Sequence, residues 1–512
     1  MELLNTIFKE TNAANKQTRE TDLHGSRHSH YPSFCSKLEV AFDEKRRRFV
    51  RAVNDIPLGK VVCVDEGVTL TVSHRRCTFC VAELKTNEKG NCARCRVEKR
   101  WKAVRACEDG SAELLRNCGM LEFAVRIALS YSAKEIVDEL KKKESDARGL
   151  PSLAGFSSRQ FASVAALERA AVVDIPDVKT TFKKALAQVL ENLSRHPEWC
   201  KYPDREKLFT DALHFIMKRV PANAHTIFHP DSDPNGTAGN HAILPFVLSE
   251  VLWPEGCELS KKAKKEMNSG VPLAVGFFPT ASIFNHSCRP NTFSYFHQNR
   301  VIYVSRGIRK GDEVTDSYGP LVVTHTLSER TKLFDERGFL CLCVECRFER
   351  ERVDEQKRMT EQVDEERRDQ AADQMAADLT PESSFSQVSR VVCHLEKLLP
   401  SFSLHLAHLY RHAAVAATRE GQFDECIHIL ERYIKKYSTR LHGFDQNTAS
   451  TAHAMTLISF ANYMRTGRRE ELLRARRFAF RSLLQYNAIY GPHGILTRNL
   501  VQFLRENGAL LE

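Results

Sequence analysis

The chain has 512 residues, of which 42% are hydrophobic, so it is long enough to form two or three domains with buried cores. Its net charge of +10 favours acidic partners only weakly and does not by itself predict nucleic-acid binding. There is no apolar run of the length that a membrane span needs, and the first residues lack the plan of a secretory signal. We therefore expect a soluble protein of the cytoplasm, the nucleus or both, whose sixteen cysteines are thiols or metal ligands rather than disulfides.

The amino-terminal region changes character near residue 37. Residues 1–36 are polar and lack periodicity, which predicts a disordered tail. Over residues 37–72, short alternating segments with tight turns follow, among them Leu38–Asp43 and Lys60–Val64. This alternation predicts a small antiparallel sheet of three strands.

Two Cys-x2-Cys pairs separated by eleven residues lie within residues 73–110: Cys77, Cys80, Cys92 and Cys95. Four thiolates with this spacing can surround one Zn²⁺ in tetrahedral geometry. In a reducing compartment we interpret them as a zinc finger, with unrelated thiols as the alternative. The basic side chains between Arg94 and Arg105 favour a solvated face over a surface for nucleic acid or an acidic peptide, because no ladder of aromatic residues is interleaved with them.

Residues 111–270 form a helical insert that ends in a loop insertion. Apolar residues recur there at helical spacing. Helices are predicted after the capping-box pattern Ser132-x-x-Glu135, around Phe182–Leu193 and around Leu208–Val220. The loop insertion, residues 229–270, is rich in Asp, Pro, Gly and then Lys, and its sequence indicates no role.

Two motifs lie close together within residues 271–320. The first, Asn285–Asn291, reads Asn-His-Ser-Cys-Arg-Pro-Asn and follows two apolar residues, Ile283 and Phe284. The second ends at Tyr318 and follows a predicted strand and a turn at Gly311. An apolar approach to several polar and reactive side chains, closed by a proline, is typical of a binding corner.

A third motif, Phe339–Cys346, lies within residues 321–347 and carries its cysteines in the pattern Cys-x-Cys-x2-Cys. In this order the three motifs resemble the core and post-SET segment of the SET domain, the lysine methyltransferase fold. The cysteine pairs and helices inserted between its halves resemble the SET and MYND domain (SMYD) family. The resemblance implies an α+β fold: a SET-domain β-fold split by a small, reduced MYND-like zinc finger and a helical insert, followed by an all-α tetratricopeptide-like carboxyl-terminal domain.

The carboxyl-terminal third fits the same resemblance. Residues 348–385 are dominated by charged side chains, which predicts a solvated helix or a flexible linker. Residues 386–512 show paired helical segments that turn at Gly421 and Gly467. In the SMYD family such a domain arches over the substrate cleft, and here we interpret it either as a structural lid or as a groove for a partner peptide.

The resemblance also implies the cofactor S-adenosylmethionine and assigns site residues. Tyr318 matches the catalytic tyrosine. Cofactor contacts are implied for Arg46, Arg48, Asn285, His286, Tyr318 and Phe339. Asn223 and His225 match an Asn-x-Phe segment at the lip of the lysine pocket, with His225 in place of the aromatic residue. The loop Arg46–Phe49 departs from the family pattern Arg-Gly-x-Gly because Phe49 replaces a glycine, so it could weaken cofactor binding.

Two structural zinc ions are implied. The first would be held by Cys77, Cys80, Cys92 and Cys95. A full MYND finger holds a second zinc, for which His74 and Cys107 are the candidate substitute ligands here. The second of the two implied structural zinc ions would be held by Cys288, Cys341, Cys343 and Cys346. Cys288 alone could also be a small buried core residue. This centre would tie the segment that carries Phe339 to the cofactor corner.

The sequence thus predicts a protein lysine methyltransferase that acts on histone or other protein lysines. The alternative is a catalytically silent SET-fold scaffold that recruits protein partners through its finger and helical repeats. We expect a monomer whose partner is a protein substrate with a target lysine, and we expect neither nucleic acid nor a membrane as a partner.

Overall fold

The structure is a computed structural model that describes residues 23–44, 46–71, 75–98, 102, 104, 119–142, 160–167, 180–228, 272–323, 325–358, 374–375, 377–380, 382–398, 404–441, 444–492 and 494–508. The candidate ligands His74 and Cys107 and the loop insertion 229–270 lie outside the described residues. No helix of the described residues is long and apolar enough to cross a membrane.

The strands build three small sheets. Their bounds are β1 Leu38–Asp43, β2 Arg47–Ala52, β3 Val61–Glu66, β4 Val68–Thr71, β5 Ala224–Phe228, β6 Pro272–Phe277, β7 Asn285–His286, β8 Thr292–His297, β9 Arg300–Ser305 and β10 Glu313–Asp316. The strand orders are β1-β2-β10-β7, β3-β9-β8 and β4-β6-β5. Each sheet joins strands from before and after the inserts, so the β-fold is split along the chain as predicted.

The first sheet brings the two predicted motifs together. Strand β10 runs antiparallel to β2 and parallel to β7. The parallel register pairs Thr315 with Asn285 and Asp316 with His286. The polar segment therefore lies directly beside the strand that leads into Tyr318.

Helices fill the inserts and the carboxyl-terminal region. Their bounds are α1 Ala93–Val97, α2 Gly119–Ser130, α3 Ala133–Leu140, α4 Phe161–Ala165, α5 Thr180–Asn192, α6 Arg205–Met217, α7 Val220–Asn223, α8 Leu327–Glu336, α9 Val344–Arg358, α10 Phe385–Leu398, α11 Leu404–Arg419, α12 Phe423–Arg440, α13 Gln446–Thr466, α14 Arg469–Tyr490 and α15 Ile495–Glu506. Helices α5 and α6 confirm two predicted segments, and α9 extends into the predicted linker 348–385.

The predicted capping box at α3 does not form. Ser132 stands at the N-cap position, but its side chain makes no capping hydrogen bond. Instead, the Glu198 carboxylate accepts a hydrogen bond from the Ala133 N–H at 2.8 Å. A carboxylate from a different part of the insert therefore satisfies a free N–H group at this helix end.

The carboxyl-terminal region is all helical, as predicted. Gly421 and Gly467 adopt φ of 72° and 69°, the left-handed conformation that lets α11 turn into α12 and α13 into α14. The end of α14 packs on the SET sheet, where the Tyr490 ring lies 5.9 Å from that of Phe293 and 5.3 Å from that of Tyr295. One hydrophobic core therefore joins the β-sheets to these helices.

The prediction of a disordered tail over residues 1–36 is wrong for residues 23–36. Phe34 and Cys35 are fully buried. The Cys35 N–H donates to the Val62 carbonyl at 2.9 Å, and the Val64 N–H donates to the Ser33 carbonyl at 2.8 Å. This polar segment carries a few apolar side chains that cover one side of β3, which its overall composition conceals.

Candidate active site and metal centres

A buried carboxylate holds the turn that precedes β7. Asp65, at the end of β3, is fully buried, and its Oδ2 accepts hydrogen bonds from the N–H groups of Thr280 at 2.8 Å and Ala281 at 3.0 Å. The Ser33 hydroxyl donates to Oδ1 at 2.9 Å. Burial raises the pKa of Asp65 to about 6, although these hydrogen bonds oppose the shift. Asp65 therefore fixes the point where the chain enters the Asn285 segment.

Tyr318 is held at both its backbone and its hydroxyl. Its N–H donates to Nδ1 of His286 at 3.0 Å, and its hydroxyl donates to the Phe284 carbonyl at 2.8 Å. Burial, reinforced by the nearby Asp316, raises the pKa of the phenol, so it stays neutral. Because the hydroxyl proton is already donated, the oxygen lone pairs remain available as acceptors.

Asn285 and Arg46 meet at a carboxylate. The Asn285 side-chain amide donates to Oε1 of Glu313 at 2.9 Å. Arg46 forms an ion pair with Oε2 of the same residue at 3.5 Å. Its guanidinium also lies 3.7 Å above the centre of the Phe49 ring. Two predicted cofactor residues are thus brought together, around an acid that sequence reasoning did not single out.

The other two arginines of the hairpin loop play different parts. Arg48 donates a hydrogen bond to the Ala166 carbonyl at 2.7 Å, just after α4, so this predicted cofactor residue contacts the helical insert. Arg47 adopts φ of 56°, a conformation that favours glycine. It stands where the pattern Arg-Gly-x-Gly has its first glycine, so the chain keeps a glycine-like backbone without the glycine.

An aromatic group surrounds His286. The rings of Phe334, Tyr318 and Phe339 lie 4.6 Å, 5.2 Å and 6.3 Å from its ring. The Phe339 ring also lies 4.8 Å from that of Phe334 and 5.9 Å from that of Tyr318. Three predicted site residues, His286, Tyr318 and Phe339, therefore belong to one aromatic cluster. Nε2 of His286 lies 3.3 Å from Sγ of Cys288, so both ring nitrogens are engaged within the protein.

The post-SET cysteines gather as predicted. The sulfur atoms of Cys288, Cys341, Cys343 and Cys346 all lie within 4.8 Å of one another. Sγ of Cys288 lies 4.0 Å from that of Cys341 and 3.4 Å from that of Cys346. A tetrahedral site with Zn–S bonds of about 2.3 Å would separate its sulfurs by about 3.8 Å. Four cysteine sulfurs at this spacing fit a structural zinc ion.

The finger cysteines form a second group with the same donor set. The sulfur atoms of Cys77, Cys80, Cys92 and Cys95 lie within 4.8 Å of one another. Sγ of Cys80 lies 3.5 Å from that of Cys92, so the two Cys-x2-Cys pairs face each other. Within the residues that the structure describes, these two groups are the candidate metal sites. Each could hold one metal ion.

A family model of the SET domain matches residues 47–319, more than half of the chain. The chain belongs to the SET domain family. Its parallel β7 and β10, with Tyr318 just beyond β10, therefore belong to a SET domain. Two groups of four cysteines accompany this domain, and the group of Cys77, Cys80, Cys92 and Cys95 fits a MYND-type finger.

Three relatives show where the likeness extends. The SET domain-containing protein 3 of Caenorhabditis elegans is 30% identical over 62% of this chain and 61% of its own length. The human protein-lysine N-methyltransferase SMYD4 is 41% identical over 16% of this chain and 11% of its own length. A SET and MYND domain-containing protein of Dictyostelium discoideum is 29% identical over 18% and 27%. The chain thus spans less than two thirds of each of these relatives.

The residues predicted at the lip of the lysine pocket lie next to the turn that precedes β7, the turn held by Asp65. The Ser282 hydroxyl donates to the Asn223 carbonyl at 3.3 Å. Nδ1 of His225 is hydrogen-bonded to that same carbonyl at 3.1 Å. The His225 ring lies 5.7 Å from that of Phe278, and burial lowers its pKa to about 4. His225 is therefore a neutral, ring-shaped side chain near pH 7.

Sequence reasoning missed several residues that organise this SET site. Asp316 is buried and accepts hydrogen bonds from the Tyr303 hydroxyl at 2.8 Å and the Ser294 hydroxyl at 3.3 Å. Burial raises its pKa, and the hydroxyl groups oppose the shift. Glu313, Phe334 and Asp65 were also missed. An acid at a strand end is an ordinary sequence feature, so only the pairing of the strands reveals what it contacts.

Proposed function

We propose that this SET domain protein is an S-adenosylmethionine-dependent protein lysine N-methyltransferase. The family supports protein lysine methylation in general, and a relative carries that activity in its name. The observation that carries the proposal is Tyr318, which is held at its N–H and its hydroxyl and whose oxygen is left as an acceptor. Its position beside His286 and Phe339 supports a role at the reacting atoms.

The polar groups around Glu313 and the ring of Phe339 support a site for this cofactor. The Asn285 amide and the Glu313 carboxylate offer polar partners for an amino acid group, and the Phe339 ring offers a surface for adenine. When bound, S-adenosylmethionine supplies an electrophilic methyl group on a sulfonium centre. Arg46 and Phe49 would line the same corner, since the Arg46 guanidinium stacks on the Phe49 ring.

The protein's own contribution is to deliver a neutral amine in the correct orientation. A free lysine amine has a pKa of about 10.4 and is protonated at neutral pH, so it has no lone pair with which to attack. An apolar, aromatic wall disfavours the charged form. The Tyr318 oxygen can accept an N–H of the amine and thereby aim its lone pair. The neutral His225 adds no positive charge at the proposed entrance.

The test combines cofactor binding with methyl transfer. Calorimetry on zinc-replete protein should show S-adenosylmethionine binding for the wild type and for Tyr318→Phe, but not for Asn285→Ala. Mass spectrometry of lysine peptides should show transfer by the wild type and a rate reduced about 100-fold in Tyr318→Phe, which has lost the accepting hydroxyl. A folded, zinc-replete wild type that fails to bind the cofactor would exclude the methyltransferase.

One observation favours a catalytically silent scaffold as the second candidate. Phe49 is almost fully buried where the family pattern has a glycine, and Arg46 covers its ring. A side chain at this position restricts the close backbone approach that glycine permits. If the wild type does not bind the cofactor but Phe49→Gly does, the altered loop has closed the site and the scaffold reading holds.

A further inference from the structure

Both ring nitrogens of His286 have fixed roles. A backbone N–H can only donate, so Nδ1 must accept from the Tyr318 N–H, 3.0 Å away. In the neutral ring the proton then resides on Nε2, which lies 3.3 Å from Sγ of Cys288. The hydrogen bond at Nε2 is therefore an N–H···S contact to one of the four clustered cysteines. A single ring connects a sulfur of the candidate metal centre to the backbone of Tyr318.

A buried arginine is close enough to two of the same sulfurs to interact with them electrostatically. Arg330 is fully buried and pairs with Glu349 through Nη2. Its Nε and Nη1 have no hydrogen-bond partner among the described residues. Burial lowers the pKa of Arg330, but Glu349 and the sulfurs of Cys288 and Cys346 outweigh it and raise the pKa overall. The guanidinium therefore stays charged, and its Nε and Nη1 atoms keep N–H groups that no described residue accepts.

The charge of a filled centre explains these surroundings. Four thiolates around one divalent zinc carry a net charge of about −2, which is costly in a buried place unless donors and cations surround it. Arg330 supplies the cation and His286 supplies an N–H donor. Ligating groups are commonly oriented by such outer partners. The same helix, α8, carries Phe334, whose ring packs on His286 at 4.6 Å.

We propose that His286 is a positioning residue through which the Cys288 metal centre fixes Tyr318. A metal ion held by Cys288, Cys341, Cys343 and Cys346 would fix the position of the Cys288 sulfur. The contact of that sulfur with Nε2 sets the ring so that Nδ1 faces the Tyr318 N–H. Without the metal, the Cys288 sulfur is no longer held in place, the ring loses its fixed partner, and Tyr318 is released. The effect on methyl transfer rests on the proposed function, but the coupling itself does not.

Hydrogen exchange at single-residue resolution tests the link directly. In the zinc-loaded wild type the Tyr318 amide should be protected, and it should exchange about tenfold faster after chelation, as expected for a lost hydrogen bond. The Ser287 amide is the internal control, because it donates to the Asp316 carbonyl at 2.9 Å in the same strand pair without using the His286 ring. Its protection should not change. Equal loosening of both amides, or a Tyr318 amide that stays protected after chelation, would overturn the proposal.

Zinc-loaded His286→Phe should show the fast Tyr318 exchange without chelation. His297→Phe, a matched change at the last residue of β8, should behave as wild type. Unaltered protection in His286→Phe would contradict the link. If His286→Phe does not fold, the chelation of the wild type decides alone.

A second readout comes from cobalt. In protein loaded with Co²⁺ alone, His286→Phe should shift the sulfur-to-cobalt absorption bands, because an N–H···S contact is lost, and His297→Phe should not. An unshifted spectrum would refute the contact with the thiolate. Neither readout uses S-adenosylmethionine or activity. A protein that shows the coupling but binds no cofactor would refute the proposed function alone, and one that methylates lysine without the coupling would refute this inference alone.

Discussion

Arg47 holds a backbone conformation that residues with a Cβ seldom adopt. Its φ of 56° lies in the left-handed region, at the first residue of β2, where it pairs with Asp43 of β1. Such a conformation costs an L-residue roughly 1–2 kcal/mol, whereas glycine pays less there but loses more entropy on folding. We expect Arg47→Gly to raise the free energy of unfolding by about 0.5 kcal/mol in urea titrations.

The matched control is Arg51→Gly in the same strand. Arg51 lies at an extended position paired with Glu313 and Glu39, so glycine should lower the stability there by about 1 kcal/mol. Equal losses for both variants would show that the Arg47 conformation carries no strain. Both changes remove an exposed arginine. Arg51→Gly also removes the 3.2 Å ion pair with Glu39, which contributes little at an exposed position.

Asp65 gives the protein a specific dependence on pH. Its pKa is about 6 in the folded protein and 3.8 as the ordinary value, so the folded state binds the proton more tightly than the unfolded state does. The contribution of Asp65 to stability is therefore greatest at low pH and falls as the pH rises from about 4 to about 6, by about 3 kcal/mol in total. Asp65→Asn mimics the protonated form and should remove this dependence.

The measurement is the difference in unfolding free energy between Asp65→Asn and wild type from pH 4 to pH 7. It should shift in favour of the variant as the pH rises. Ser33→Ala should steepen the wild-type dependence, because it removes a hydrogen bond to the carboxylate. A difference that stays flat across this range would mean that Asp65 keeps its ordinary pKa in the folded protein.

At the scale of elements, the two cysteine groups predict how many metal ions each chain binds. Four sulfurs close together in each group can hold one ion each, so two metal ions per chain are expected. Cys92→Ser removes a finger ligand and should lower the content by one. Cys107→Ser should leave it at two, if Cys107 does not serve as a substitute ligand. Elemental analysis of purified protein decides, and a loss of metal in Cys107→Ser would reveal a second ion in the finger.

The elements also show how far the sequence could predict this site. The Asn285 segment, Tyr318 and the two cysteine groups were found because their chemistry requires fixed residue types at short spacings. Their meeting depends on the parallel pairing of β7 with β10, which joins segments about thirty residues apart and leaves no local signature. Asp65 lies more than two hundred residues from Thr280, so no spacing could reveal that contact.

The predicted tail failed for a related reason. Composition averages over a segment, whereas burial depends on a few side chains. Phe34 contacts the Phe284 ring at 5.1 Å, next to the carbonyl that holds the Tyr318 hydroxyl. A polar segment with one well-placed aromatic residue can thus support the site.

At the scale of the whole molecule, the carboxyl-terminal helices share their core with the SET sheets. Tyr490 of α14 contacts Phe293 and Tyr295 of β8, and its side chain is 6% exposed. Gly59, just before β3, comes so close to α14 that an added Cβ would lie 3.2 Å from that of Ala488. A lid that opened as a rigid body would have to break this packing. We therefore expect the two regions to unfold as one cooperative unit.

Tyr490→Ala tests this coupling. Loss of a large buried aromatic side chain typically costs about 3–5 kcal/mol of stability, so the urea midpoint of unfolding should fall. The midpoint should fall equally in two measurements, the circular-dichroism signal of the helices and the hydrogen-exchange protection of the β8 amides. Tyr490→Phe keeps the ring contacts and should stay close to the wild type. If Tyr490→Ala instead gives two separate transitions, with the β8 amides unaffected by the loss of helix, the helices are an independent domain resting on the SET fold. That outcome would also favour a groove for a partner peptide over a structural lid. A structural lid must share the stability of the site it covers, whereas a groove for a partner peptide need not.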